Sequence, residues 1–253
     1  MFLVFPNPQS IAQYLSSLLI EKIQAKPESV LGLATGSTME PVYANFANRV
    51  KTLGTDLSRV TTFNLDEYVG LGATHPQSYN YYMHQHLFDS VGFDEQRLHL
   101  PDGLCSDLTE QCEAYSQLIK RMGGLDLQLL GVGTNGHIGF NEPGTPFDSR
   151  THVVALSERT RIDNSRFFAD KSQMPTQAIT MGIQDIMEAR ELILVATGEH
   201  KAQVIADYWR SPVSESMPAS VLKQHPKALI IVDEAAASLL PAEVCQPALA
   251  LAG

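Results

Sequence analysis

The chain has 253 residues, 44% of them hydrophobic, and 28 acidic side chains against 18 Lys and Arg give it a formal net charge of −10. That length and apolar share can bury one large core, whereas the acidic balance argues against a general nucleic-acid binder, which needs clustered Lys and Arg to neutralise phosphates. The longest aliphatic runs, such as Leu192 to Ala196 and Ala228 to Val232, fall far short of the roughly 20 residues of a membrane-spanning helix.

Met1-Phe2-Leu3-Val4-Phe5 is apolar, but no basic residue precedes Lys22 and Pro6-Asn7-Pro8 interrupts the run. The segment therefore reads as a first strand and not as a signal peptide. From Gln9 to Gln24, apolar residues at 11, 14, 15, 18, 19 and 23 recur at helical spacing, with Asn7 and Pro8 placed to cap and start the helix. Strand-like runs follow at Ser29 to Ala34, Arg59 to Leu65, Leu125 to Leu130, Ala178 to Thr180, Glu191 to Ala196 and Lys227 to Val232. Near-continuous apolar strands separated by helices imply a parallel sheet covered on both faces. The expectation is a three-layer αβα, Rossmann-like fold with an open, mostly parallel sheet, and one domain over residues 1–253. Cys105, Cys112 and Cys245 are odd in number and lack metal-type spacing, so the chain reads as a reduced, cytoplasmic protein.

Open parallel sheets bind ligands beyond the carboxyl ends of their strands, and four such ends carry unusual polar residues. After the second strand comes Thr35-Gly36-Ser37-Thr38, then Pro41 in the first turn of a helix. This suits an anion on backbone N–H groups, with a plain N-cap by Ser37 or Thr38 as the alternative. The next strand runs into Asp66-Glu67; alternation along a strand sends the two acids to different places, one a candidate general base and the other structural. The third end, Gly131 to Pro143, matches G-x-G-x-x-G, but the later Gly139, Pro143, Gly144 and Pro146 make it an extended loop. A dinucleotide site needs a helix there, and an acidic residue about 20 positions on, so the loop instead displays His137, Asn141 and Glu142. At the fourth end Lys201 opens a helix, where a cation opposes the dipole unless it faces a bound anion or simply points to solvent.

Between Ser149 and Lys171, five basic residues (Arg150, Arg159, Arg161, Arg166, Lys171) outnumber three acids, a local reserve of cations on an acidic protein. His84 and His86 are two apart amid aromatic residues, which favours packing or surface roles over a metal site, and no Gly-x-Ser-x-Gly elbow supports a serine hydrolase. Unaided, these residues describe a sugar-phosphate-sized anion held near a carboxylate and an imidazole, an inventory that suits proton abstraction beside a carbonyl.

The motifs also carry a resemblance. Phe63-Asn64-Leu65-Asp66-Glu67-Tyr68-Val69-Gly70-Leu71, His75-Pro76, Ser78-Tyr79, G-V-G-T-N-G-H-I-G-F-N-E-P over 131–143, Thr160-Arg161, Asn164 to Phe168 and His225-Pro226-Lys227-Ala228 resemble the glucosamine-6-phosphate deaminase family over nearly the whole chain. The resemblance implies conversion of glucosamine 6-phosphate and water to fructose 6-phosphate and ammonium, in amino-sugar catabolism, with no metal or organic cofactor. By the family's pattern Asp66 moves a proton from C2 to C1. His137 assists ring opening, with Asn135 and Glu142 orienting and tuning it. Gly36, Ser37, Thr38, Arg166 and Lys201 hold the phosphate, and a mobile lid covers roughly 156–176.

Two departures stand out. Some members have Asp where this chain has Asn135, so Glu142 must supply more of the field on His137. Allosteric members carry basic residues after the Ser-Arg-Thr at 149–151, where this chain has His152 and Val154, and the tail after Lys227 is short. Both suggest a non-allosteric monomer or small homo-oligomer. The rivals are 6-phosphogluconolactonase, whose loop after Gly-His runs differently, and a sugar-phosphate-binding regulator, for which a first strand at Phe2 leaves no room for a helix-turn-helix.

Overall fold

A computed structural model describes residues 2–156 and 174–248. The fold is α/β. Eight strands make one sheet: β1 (Phe2–Phe5), β2 (Val30–Leu33), β3 (Thr61–Asn64), β5 (Leu98–His99), β6 (Leu127–Leu130), β9 (Leu192–Ala196), β10 (Ala228–Asp233) and β11 (Cys245–Pro247). Their order is β11-β1-β10-β9-β6-β2-β3-β5, and every pairing is parallel. β2, β3, β6 and β9 are buried along their whole length; β2 and β9 are unbroken apolar runs, whereas β3 buries Thr61, Thr62 and Asn64 and β6 buries Gln128.

The connecting helices are α1 (Pro8–Ala25), α2 (Glu40–Leu53), α3 (Tyr79–His86), α4 (Leu108–Arg121), α5 (Ile183–Met187), α6 (Ala202–Arg210) and α7 (Glu234–Ala237). Helix α1 packs on α2 and α2 on α3. Because crossovers between parallel strands are right-handed as a rule, the strand order assigns the helices of the outward run and those of the return run to opposite faces of the sheet. Helix α1 starts as its sequence implies. Asn7 is extended at the N-cap and its Oδ1 accepts from the Ser10 N–H (2.9 Å) and Oγ (3.1 Å), with Pro8 beginning the first turn. An Asn7→Ala variant is expected to lose about 1 kcal/mol of stability and Asn7→Asp almost none, read by denaturant unfolding.

Strand order also locates the binding crevice. From β2 the chain moves outward to β3 and β5, then returns to β6 on the other side of β2 and continues to β9 and β10. The loops after β2 and β6 therefore part company at this switch point and leave a cleft above the strand ends.

Two expectations need correcting. Ala178 to Thr180 is a strand, but not of the main sheet: β8 (Gln177–Thr180) lies between β4 (Asp66–Tyr68) and β7 (His152–Ala155) in a separate antiparallel sheet. A short apolar run is the same in either sheet; what decides is its partners, and Asp66 pairs directly with Thr180. Asp66 and Glu67 accordingly do not end a strand; they begin β4, after Leu65 turns the chain out of β3. The N–H of Leu65 still donates to Leu33 of the main sheet (3.3 Å), while its carbonyl accepts from Met181 (2.6 Å). The lid expected over roughly 156–176, with Arg166 in it, lies almost wholly outside the described residues.

Candidate active site

Four strand ends meet around one cavity of about 470 Å³. Its walls are the β2–α2 loop from Ala34 to Met39, Leu65 and Asp66, Tyr79 of α3, the β6 loop from Gly131 to Phe140, and His200 and Lys201 beyond β9.

The β2–α2 loop is shaped for an anion. Gly36 adopts φ 105°, a region open to glycine, and a 2.9 Å bond from the Met39 N–H to the Gly36 carbonyl closes the turn. The N-cap alternative fails: α2 begins after Met39, with no side-chain capping bond, so neither Ser37 nor Thr38 is engaged as a cap. Two tyrosine hydroxyls fix the loop from behind. Tyr43 Oη donates to the Ala34 carbonyl (2.5 Å) and Tyr82 Oη to the Gly36 carbonyl (2.9 Å). Lys201 closes a 3-10 turn, Glu199–Lys201, just before α6. Its Nζ donates to the Val132 carbonyl (2.7 Å), which sets the ammonium at the cavity wall.

Asp66 is 7% exposed; its backbone pairs with Thr180 in the antiparallel sheet and the residue lines the cavity. Burial first, and the neighbouring Glu67 second, push its carboxyl up to about 8. Glu67 points the other way, toward α3, as strand alternation implies.

The β6 loop carries the imidazole. It is irregular, as its glycines and prolines imply, and folds back on itself through the Gly133 N–H to His137 carbonyl bond (3.0 Å). The His137 ring lies directly on Gly133, where a Cβ would come within 2.1–2.4 Å of three ring atoms. Its Nδ1 is 3.6 Å from Glu142 Oε1, close enough to pair when the ring is charged. Asn135 joins the two: its Nδ2 donates to Glu142 Oε2 (2.6 Å) and its Oδ1 accepts from the His137 N–H (3.2 Å). Asn141 serves structure instead, its Nδ2 tying the loop to the Ile138 and Met181 carbonyls at 2.9 Å each.

The amide at 135 allows a close contact with Glu142 that a carboxylate would oppose. In Asn135→Asp the two acids must share a proton, which raises the folded-state pKa of one of them. That stabilisation is present at low pH and lost as pH rises through the raised value. Relative to wild type, the variant's Tm is expected to be near parity at pH 5 and lower by a few degrees at pH 8.

The structure brings Gly36, Ser37, Thr38, Asp66, His137 and Lys201 to the cavity wall, with Asn135 and Glu142 one contact behind His137. Sequence reasoning missed Tyr79, Phe140 and His200, which also line it. Tyr79 stacks on Phe140 with centroids 6.1 Å apart, and its hydroxyl meets that of Tyr68 at 3.3 Å. An aromatic residue directly after an N-cap serine was the available signal. His84 and His86 stay outside the cavity lining, as expected; His84 pairs with Asp89 (2.8 Å) and His86 stacks on Tyr82.

Residues 7–231 match the glucosamine-6-phosphate isomerases/6-phosphogluconolactonase family. The chain belongs to this family. Within it, the chain is 50% identical to a glucosamine-6-phosphate deaminase of Shouchella clausii, over 92% of this chain and 94% of that one. A solved structure of a monomeric glucosamine-6-phosphate deaminase superposes with a TM-score of 0.92 at 40% identity, covering 94% of this chain and all of the other. The 6-phosphogluconolactonase of Trypanosoma brucei aligns with a TM-score of 0.77 at 20% identity over 95% and 98% of the two chains, a likeness that speaks to the fold. The isomerase/lactonase family thus divides in its similarity to this chain, and the deaminase side is much the nearer.

Proposed function

We propose that the cavity deaminates and isomerises glucosamine 6-phosphate, releasing fructose 6-phosphate and ammonium. The observation that carries this reading is the shared cavity: a buried carboxyl and an imidazole open onto the same space as a glycine-containing anion loop and a lysine. Chemistry at C1 and C2 of a sugar with a phosphate at C6 needs proton-moving groups and anion-holding groups on one cavity.

In this reading the phosphate lies on the N–H groups of Gly36, Ser37 and Thr38 with Lys201 beside it, and Arg166 is a second cation supplied from outside the described residues. His137, oriented by Asn135 and charge-balanced by Glu142, shuttles the proton between O1 and O5 as the ring opens. Asp66 then removes the C2 proton and delivers it to C1, leaving an iminium at C2. Water adds there, and the C–N bond breaks to give the ketone and ammonia. No organic cofactor enters, and among the described residues no cluster of three His, Cys, Asp or Glu is arranged to hold a metal.

We read the whole chain as one domain built around this site and working as a monomer or small oligomer in the cytoplasm. Support comes from the monomeric deaminase of similar fold and from the free cysteines at 105, 112 and 245, and no helix among the described residues is long and apolar enough to cross a membrane. The test incubates the protein with glucosamine 6-phosphate and follows ammonium and fructose 6-phosphate together. Equimolar products are expected. Hydrolysis of 6-phosphogluconolactone with neither product formed would overturn the assignment.

A further inference from the structure

The proposed reaction gives the immediate neighbour of its base no part in the chemistry. Glu67 is 3% exposed, on the far side of β4 from the cavity. Its Oε1 accepts from the N–H groups of Tyr68 (2.8 Å) and Tyr79 (2.9 Å), and its Oε2 from the N–H of Asn80 (2.9 Å). Two of these donors are the first residues of α3, which Ser78 already caps through the Tyr81 N–H (3.0 Å). Helix α3 is pinned a second time where Tyr82 meets Gly36 of the anion loop. Ser78 serves only the Tyr81 N–H, so Glu67 supplies the acceptors for the Tyr79 and Asn80 N–H groups and ties the start of α3 to β4, although burying a carboxylate beside another acid is unfavourable.

We propose that Glu67 is the positioning residue of the base: anchored on three backbone N–H groups of β4 and α3, it holds the Asp66 carboxyl toward the cavity and acts on it electrostatically from behind the strand. The inference rests on Asp66 being the base of the reaction proposed above. Burial raises Glu67 to about 7 against the downward pull of its three N–H donors, while Glu67 is the second cause, after burial, of the rise in Asp66. The charge on Glu67 therefore bears directly on how readily Asp66 ionises. The other titratable groups around them are Tyr68 on β4, Tyr79 on α3 and Tyr115 on α4, with His137 and Lys201 on the cavity wall. Tyr79 and Tyr115 are held well above the ordinary phenol value by burial and stay neutral throughout.

The experiment is a pH titration of the side-chain carboxyl carbons by NMR on the full-length protein. In wild type, the Asp66 and Glu67 curves are each expected to show two inflections, because each group senses the other's ionisation. In Glu67→Gln, Asp66 is expected to titrate in one step with its midpoint lower by about one pH unit. The acid limb of kcat/KM for glucosamine 6-phosphate should move down with it; a merely structural defect would depress kcat at every pH without moving the limb. Independent titration in wild type, or an unmoved Asp66 midpoint in Glu67→Gln, overturns the proposal. The wild-type titration needs no variant to fold. It is also read without substrate, so a wild type that turned over no glucosamine 6-phosphate would defeat the reaction assignment separately.

Discussion

Asp66→Asn is expected to lower kcat for glucosamine 6-phosphate by about 10²–10⁴-fold while leaving KM within a few-fold, since an amide keeps the shape and hydrogen-bonding reach of the carboxyl but accepts no proton. The environment that makes Asp66 a base also makes it unfavourable to the fold. Its carboxyl is pushed up to about 8 by burial, so the folded state prefers the protonated form. The stability linked to that proton is fully present below the ordinary carboxylate range, near pH 4, and is lost as pH rises through about 8. Removing the ionisable group removes the loss. The variant should therefore be more stable than wild type, with a Tm advantage that grows from pH 5 to pH 8 and reaches roughly 5 °C or more. A variant that is inactive and also less stable at pH 8 would contradict this account. The wild-type profiles carry the same signature: the acid limb of kcat/KM, which reports the free enzyme, should fall near pH 8. The limb of kcat should lie lower, because the substrate's ammonium beside Asp66 favours its ionised form.

Gly133→Ala is expected to cost about 10²-fold in kcat with little change in stability. The added methyl would come within 2.1–2.4 Å of the His137 ring, so the ring must move by about an ångström or more, and displacements of that size cost roughly this much in rate. The ring is partly open to the cavity and can swing outward, so the fold survives while the catalytic geometry does not. Activity and a thermal melt together check this: a loss of activity matched by a large fall in Tm would mean that the loop had collapsed instead. The neighbouring Gly136→Ala should behave differently, since its Cβ would strike Met217 Sδ at 1.9 Å and its φ of 87° disfavours any side chain; there stability should fall first.

What the sequence determined by itself was local in its physics. The apolar periodicity of α1 and the cap at Asn7, the buried parallel strands, the extended glycine-rich loop after β6 and the polar residues at strand ends all follow from the spacing of side chains along the chain. So did the divergence of Asp66 and Glu67, because neighbours on a strand must face apart. The long motifs from Phe63 to Leu71 and from Gly131 to Pro143 pointed to the family on the same local evidence. The tertiary structure decided what depends on contacts between distant segments. Spacing could not show that Ala178 to Thr180 leaves the main sheet to pair with Asp66, since a three-residue apolar strand is the same beside any partner. Nor could it show that Gly133 serves as the seat of an imidazole, or that Tyr82 grips the anion loop. The protonation of Asp66 belongs to this second group above all. A carboxyl's pKa is set by how much water the rest of the fold removes and by which charges it brings close, and neither quantity exists until β4, α3 and the β6 loop have assembled around it.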